Sequence, residues 1–243
     1  MKHVKILSAL GLLAVAGAAN AEISGSAAIA SSYHWRGFDL GSGTPAVSGE
    51  LKYSAGGFYV AGWVSSGDTT AGTEYDLYAG YGGEVGDFNY DISYITYVYP
   101  TGDFKNVEEP GDFAEVIGKV GYGPVKVFLN YNVAGASKSD YINGVSRYAF
   151  PRGDYMYYGI SATFGQFSAV LAKHDEKVWN GVNDFVSATK AAPGVTGDAT
   201  HLDLTYAYND NLSFTVSGIL DSKLGDAEPK PKLVVAYSVP FGK

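Results

Sequence analysis

Hydrophobicity in this chain beats at every second residue, segment after segment, from Ile23 to Phe241. Val47, Gly49, Leu51 and Tyr53 alternate with Ser48, Glu50 and Lys52, and Phe88, Tyr90, Ile92 and Tyr94 alternate with Asn89, Asp91 and Ser93. Period two is the side-chain period of an extended strand whose two faces meet different surroundings. After residue 21 no apolar run approaches the roughly 20 residues that a spanning helix needs. A chain of this kind crosses a membrane only as a closed barrel, in which every backbone donor and acceptor is paired between strands.

The first strand reads from about Ile23 to Arg36, with Ile23, Gly25, Ala27, Ile29, Tyr33 and Trp35 on one face and Ser24, Ser26, Ser32, His34 and Arg36 on the other. Continuing the beat to Leu233, Val235, Tyr237, Val239 and Phe241 gives about twelve strands, an even number that returns both chain ends to one rim. Short connections such as Ala55-Gly56-Gly57, Tyr122-Gly123-Pro124 and Phe164-Gly165-Gln166 alternate with longer ones at 37–44, 65–73, 99–112, 134–154, 175–200 and 221–231. Short turns on one rim and long loops on the other are the asymmetry of an outer-membrane barrel. The expected fold is therefore all-β, a single transmembrane antiparallel β-barrel.

The first residues give the address. Lys2 and Lys5 precede an almost wholly apolar run from Ile6 to Ala19, and Ala19-Asn20-Ala21 has the form of a cleavage site. This reads as a cleavable signal peptide at 1–21 followed by a barrel at 22–243, exported to the bacterial outer membrane. Removing Lys2 and Lys5 leaves 15 basic residues against 25 acidic ones, a formal charge of −10. That acidity, with no basic stripe to offset it, argues against nucleic acid as a partner. There is no cysteine to staple the fold in an oxidising compartment.

Depth is legible in the rings. Tyr53, Phe58, Tyr81, Phe88, Tyr122, Phe164, Phe167, Tyr208, Phe214 and Phe241 fall near the short turns or the C-terminal end and read as a lower aromatic girdle. Tyr33, Trp35, Tyr75 and Tyr131 read as the upper one. In the stretch "SSYHWRGFDLGSGTPAVSGEL" (31–51) this places Tyr33 and Trp35 against lipid, His34 and Arg36 inside, and Gly37 at the start of an external loop. Near Tyr155–Phe164 the beat is weaker, and Met156, Tyr158, Ile160, Ala162 and Phe164 are taken as the outer face.

The same stretch, with its aromatic-Arg-Gly strand end, Pro and Gly-containing second strand, resembles the opening of the TorF family of porins, as does the terminal "LVVAYSVPFGK". The resemblance implies an outer-membrane barrel and a porin label, with no catalytic residue. Val239 and Phe241 also resemble the alternating C-terminal signal read by the barrel-assembly machinery, with Pro240 and the trailing Gly242-Lys243 as departures.

Charged residues on the inward beat are the candidate pore lining: His34, Arg36, Glu50, Lys52, Glu74, Asp76, Asp91, Glu115, Lys119, Lys126 and Asp203. Arg36 and His34 read either as a selecting constriction or, with twice the weight, as space-filling groups, Arg36 then pairing with a carboxylate such as Glu50 or Asp76. A mixed lining with modest acidic excess implies weak cation preference, and inward rings at Tyr59, Trp63, Tyr78, Phe128 and Tyr157 narrow the passage. His174 and His201 read as solvated rim groups, with an acid–base or metal site near Asp175, Glu176 and Asp203 as the lesser reading. No G-x-S-x-G or H-E-x-x-H occurs. The functional expectation is passive diffusion of small hydrophilic solutes or ions, with outer-membrane lipid as the surrounding partner, no cofactor and no enzymatic activity. A non-conducting barrel acting through its loops, a rim hydrolase and a soluble β-sandwich are the rivals.

Overall fold

Where the sequence alternates, the backbone is extended. In the computed structural model the described residues are 21–69, 71–101, 109–135, 155–176, 198–222 and 230–242. The signal segment, except for Ala21, lies outside them. Twelve strands make the wall: β1 (Glu22–Ala30), β4 (Ala46–Ala55), β5 (Phe58–Asp68), β6 (Gly72–Val85), β7 (Phe88–Val98), β8 (Phe113–Tyr122), β9 (Val125–Ala134), β10 (Tyr155–Phe164), β11 (Phe167–Glu176), β12 (Ala199–Ala207), β13 (Leu212–Ser222) and β14 (Lys232–Gly242). A two-stranded hairpin, β2 (His34–Trp35) with β3 (Phe38–Asp39), stands apart from the wall.

Each wall strand pairs antiparallel with its sequence neighbours, and β1 closes the cylinder against β14 with Ala27 opposite Val239. Closure removes the exposed edge that an open sheet would present to lipid. Two-residue turns join β4–β5, β6–β7, β8–β9 and β10–β11. At the first of these Gly56 and Gly57 both take positive φ (58° and 88°), as a type I′ hairpin turn requires. The register breaks between Ser65 and Asp68, Ala114 and Glu115, and Thr200 and His201 all fall at the opposite rim, where the long connections begin.

The two faces of the wall divide as the beat demands. Ile23, Leu51, Val127 and Leu204 point outward at 50–60% exposure, and every one of the twelve wall strands contributes at least one exposed large apolar side chain. So large an apolar belt is tenable only against acyl chains. Phe58, Phe88, Tyr122, Phe164 and Phe167 are exposed beside two-residue turns, and Tyr75 and Tyr131 are exposed towards the other rim. On β10, Tyr158, Ile160 and Phe164 face out while Tyr155 and Tyr157 are buried, so the weakly patterned strand has the facing expected of it.

One expectation about the wall fails, and it is the one that shapes the lumen. The first strand does not run to Arg36; it ends at Ala30. Ser31 stays on the wall through its N–H to Val235 O (2.9 Å) and its Oγ from Val235 N (3.0 Å), and the chain then turns inward. Tyr33 and Trp35 are therefore not lipid-facing girdle residues, and Gly37 does not open an external loop. Alternation alone cannot distinguish a strand that continues along the wall from a short hairpin that leaves it, because both repeat every second residue.

Candidate functional site

At a strand spacing of about 4.8 Å and a tilt near 40°, a twelve-strand cylinder has a backbone radius of about 12 Å. Side chains on the wall leave a bore of roughly the thickness of one hairpin, and the segment 31–45 supplies that hairpin. His34 pairs with Asp39 and Trp35 with Phe38, across a turn in which Arg36 and Gly37 both have positive φ (48° and 92°). The fold of the loop is closed by Leu40 N and Gly41 N donating to Tyr33 O (2.8 and 3.0 Å), and by Ser32 Oγ, which donates to Asp39 Oδ1 and accepts from Gly43 N. Thr69 N and Oγ1 donate to Leu40 O (3.2 and 3.1 Å) and tie the loop to the β5–β6 connection.

The tip of the hairpin touches wall strands from β7 round to β13, which only a point inside the cylinder can do. Arg36 Nη1 and Nη2 donate to Glu115 Oε1 (3.0 Å) and Oε2 (2.7 Å), a bidentate pair on β8. Nη1 also donates to the Tyr155 hydroxyl of β10 (2.9 Å), and Nη2 to the Tyr97 hydroxyl of β7 (3.3 Å). Tyr97 and Asn130 donate in turn to Glu115 Oε2 (2.7 and 3.3 Å), so the carboxylate is fully engaged. Arg36 lies 4.5 Å from the ring centroids of both Trp35 and Tyr157, adding cation–π attraction to the pair. The backbone is held as firmly: His174 Nε2 of β11 donates to Arg36 O (2.7 Å), and Gly37 abuts His201 of β12 and Ile219 of β13. Phe38 packs with Ala199 and Ile219.

Glu115, Glu74, Tyr155, Phe113, His174 and His201 are all essentially without solvent contact, so the long-loop half of the lumen is filled in this conformation. Arg36 and His34 belong to the inserted loop and not to a spanning strand. Burial works against the Arg36 charge, and the Glu115 carboxylate outweighs it, holding the guanidinium well above the ordinary arginine range. Burial pulls His34 below its ordinary value against the opposing effect of Asp203 and Asp39. Both His34 ring nitrogens are enclosed without a hydrogen-bond partner, which makes insertion costly at that residue.

The remaining candidate lining residues divide by height. Glu74 accepts from Tyr33 and Tyr99, Asp76 is buried with Oδ1 unpartnered, and Asp203 Oδ1 accepts from His201 Nδ1 (3.1 Å) and Ser217. With Glu115 they surround the hairpin that carries His34 and Arg36. Nearer the short turns, Glu50 accepts from Tyr78, Lys52 sits over the Tyr59 ring, and Asp91 Oδ2 accepts from Tyr59 (2.7 Å). Lys119 and Lys126 share this lower inner face by register, opposite Asp91 and Ser161, and remain exposed. Arg36 thus pairs with a lumen carboxylate, but with Glu115 and not with Glu50 or Asp76.

His174 and His201 are not solvated rim groups, being 2% and 0% exposed. Each imidazole is occupied: His174 with Arg36 O and Tyr155, His201 with Tyr157 (2.9 Å) and Asp203. Among the described residues, Ser217 meets Asp203 and not a histidine, and no group of three His, Asp or Glu is arranged to hold a metal. The residues that sequence reasoning missed are Tyr97, Tyr155 and Asn130. Their signal was present: Tyr155 lies two positions from Tyr157, Asn130 two from Phe128, and Tyr97 continues the inward beat of Asp91 and Ser93.

A family model described as a bacterial protein of unknown function (Gcw_chp) matches residues 14–180. No curated protein matches the chain. Among solved structures, a protein from a study of in-meso crystallisation of membrane proteins shares the fold at a TM-score of 0.57 and 11% identity, covering 91% of this chain and 83% of that one. Outer membrane phospholipase A from Escherichia coli (TM-score 0.40, 10% identity, 89% and 95% covered) and an outer membrane channel from Pseudomonas putida F1 (0.41, 10%, 91% and 95%) are looser matches. The TorF resemblance is not confirmed by these matches; the barrel it implies stands.

Proposed function

The chain belongs to the Gcw_chp family of bacterial proteins of unknown function, and we propose that it is an outer-membrane channel for small hydrophilic solutes or ions, closed in this conformation by its own first loop. The observation that carries the reading is the bidentate Arg36–Glu115 pair, which pins a loop to the inner wall of a barrel wide enough to conduct without it. A permanently solid barrel has less use for such a device. Its interior would be filled by wall side chains, as in barrels of about eight strands. Here the filling is a separate segment carrying its own unfavourable features, the enclosed His34 nitrogens and two non-glycine residues, Arg36 and Ser42, at positive φ.

The mechanism follows from the two halves of the lumen. The lower half holds Lys52, Asp91, Lys119 and Lys126 on a hydroxyl-rich wall, a surface that replaces part of a solute's hydration. The upper half admits solute only when the hairpin withdraws. The barrel reaches its place through the assembly machinery that reads Val239 and Phe241, and it acts without enzymatic chemistry.

Planar-bilayer recording tests the reading. Wild-type protein should give rare or small conductance steps, and a variant with residues 33–41 replaced by Gly-Ser-Gly should give large stable ones. Reversal potentials across a salt gradient in that variant read its ion preference directly. Silence from both proteins across the full salt range overturns the channel in favour of a barrel that acts through its loops.

A further inference from the structure

We infer that the short-turn mouth of the lumen is a binding site for a small zwitterionic solute of the amino-acid class, with Lys52 taking its carboxylate and Asp91 its ammonium. The inference deepens the channel reading by naming the solute. It begins with an unusual floor. On the inner face of β6, Gly80 and Gly82 leave the wall bare, and the Tyr59 side chain of β5 lies across it to reach Asp91 on β7. A Cβ at Gly80 would stand 2.4 Å from the Tyr59 hydroxyl, and one at Gly82 would stand 3.0 Å from Asp91 Oδ2. The glycines are what allow the pair to lie flat.

Beside this floor is a cavity of about 400 Å³, lined by Lys52, Tyr59, Asp91, Gly82, the β4–β5 turn and Glu22. Three charged residues face it, Lys52, Asp91 and Glu22, and among the described residues no two of them form an ion pair. Lys52 Nζ sits 4.4 Å from the Tyr59 ring centroid, and no carboxylate forms an ion pair with it among the described residues. Asp91 lines the cavity and accepts one hydrogen bond, from Tyr59 at Oδ2, while its Oδ1 is enclosed without a partner. Lys119 stands across from Asp91 in the β7–β8 register without forming an ion pair.

One phenol ring therefore sets the separation between ammonium and carboxylate. A molecule whose own opposite charges are two or three bonds apart spans that gap with a charge-assisted hydrogen bond at each end. A simple anion or a simple cation satisfies one side only and leaves the other charge unpaired. The cavity volume admits an amino acid with room to spare, so the two charges and not the volume select the solute.

Equilibrium binding of glycine to the mature protein in detergent micelles, followed by saturation-transfer NMR, tests the site without requiring conduction. Glycine should bind saturably in the millimolar range, and acetate and methylamine at least tenfold more weakly. Lys52→Met and Asp91→Asn should each weaken glycine at least tenfold, with Lys52→Arg retaining it. Gly80→Ala, which removes no charge but obstructs Tyr59, should weaken it as well and serves if a charge variant fails to fold. Absence of saturable glycine binding, equal binding by acetate, or indifference to all three weakening substitutions overturns the inference. Binding without conductance defeats only the channel reading, and conductance without binding defeats only this one.

Discussion

Removing the Arg36 guanidinium while leaving Glu115 in place strikes the loop where it is held most strongly. Glu115 is fully enclosed and its charge is met by Arg36 at 2.7 and 3.0 Å. Breaking a buried ion pair from one side costs about 3–5 kcal/mol, because the surviving charge is left unpaired, whereas replacing both partners by apolar groups is close to neutral. At about 1.4 kcal/mol per decade, Arg36→Met should shift the inserted-to-withdrawn equilibrium by roughly two to four decades. Glu115→Met should do the same, since it leaves the guanidinium among Trp35, Tyr155 and Tyr157. The double variant should recover most of the closed state. The assay is open probability in planar bilayers, with heat-dependent gel mobility confirming that the barrel persists. Single variants as closed as wild type would refute the reasoning, and so would a double variant as open as either single one.

Gly37→Ala forces a Cβ to within 2.6 Å of His201 Cβ at a φ of 92°, and should expel the tip so that trypsin cuts after Arg36, a cut that wild type should resist. Acidification should also favour withdrawal. The inserted loop holds His34 below its ordinary pKa, so the withdrawn loop binds more protons; insertion keeps its stability above about pH 6.5 and loses it as pH falls through that value. Asp203, Asp39, His201 and Lys232 are the charged or titratable groups that face His34, and His34→Gln should flatten the pH dependence of open probability. On the outer face, Leu51→Arg should cost about 2–4 kcal/mol in urea titrations of vesicle-inserted protein if Leu51 meets the bilayer midplane, and Glu50→Ala much less.

The wall was written in the sequence because lipid and lumen impose opposite chemistry on alternate residues. Leu51 beside Glu50, or Ile92 beside Asp91, leaves no ambiguity of face, and twelve such strands agree with one another. The inserted loop was not. Tyr33, His34, Trp35 and Arg36 continue the beat of β1, and the departure at Ser31 depends on Val235, two hundred residues later in the chain. Arg36-Gly37 between Trp35 and Phe38 was a two-residue hairpin signal, yet Arg is a poor occupant of a positive-φ position, and that masked it. Arg36 accepts the strain because the turn aims its guanidinium at Glu115. Likewise His174 and His201 stand near strand ends, where solvent is the ordinary neighbour; the inserted hairpin packs against both of them through Arg36 O, Gly37 and Phe38.

The distance between the Arg36 guanidinium and the Glu115 carboxylate in lipid tests the inserted loop most directly, since one group belongs to the loop and the other to the inner wall of β8. The chain contains only Arg36, Arg147 and Arg152 as arginines, so rotational-echo solid-state NMR between labelled arginine guanidinium nitrogen and glutamate carboxyl carbon is readily assigned. The structure predicts rapid dephasing, as Nη–Oε contacts of 2.7 and 3.0 Å require, and its loss in Glu115→Gln or Arg36→Met. An unlabelled-like signal with no dephasing in the wild-type barrel, or dephasing that survives both substitutions, would contradict a loop folded into the lumen.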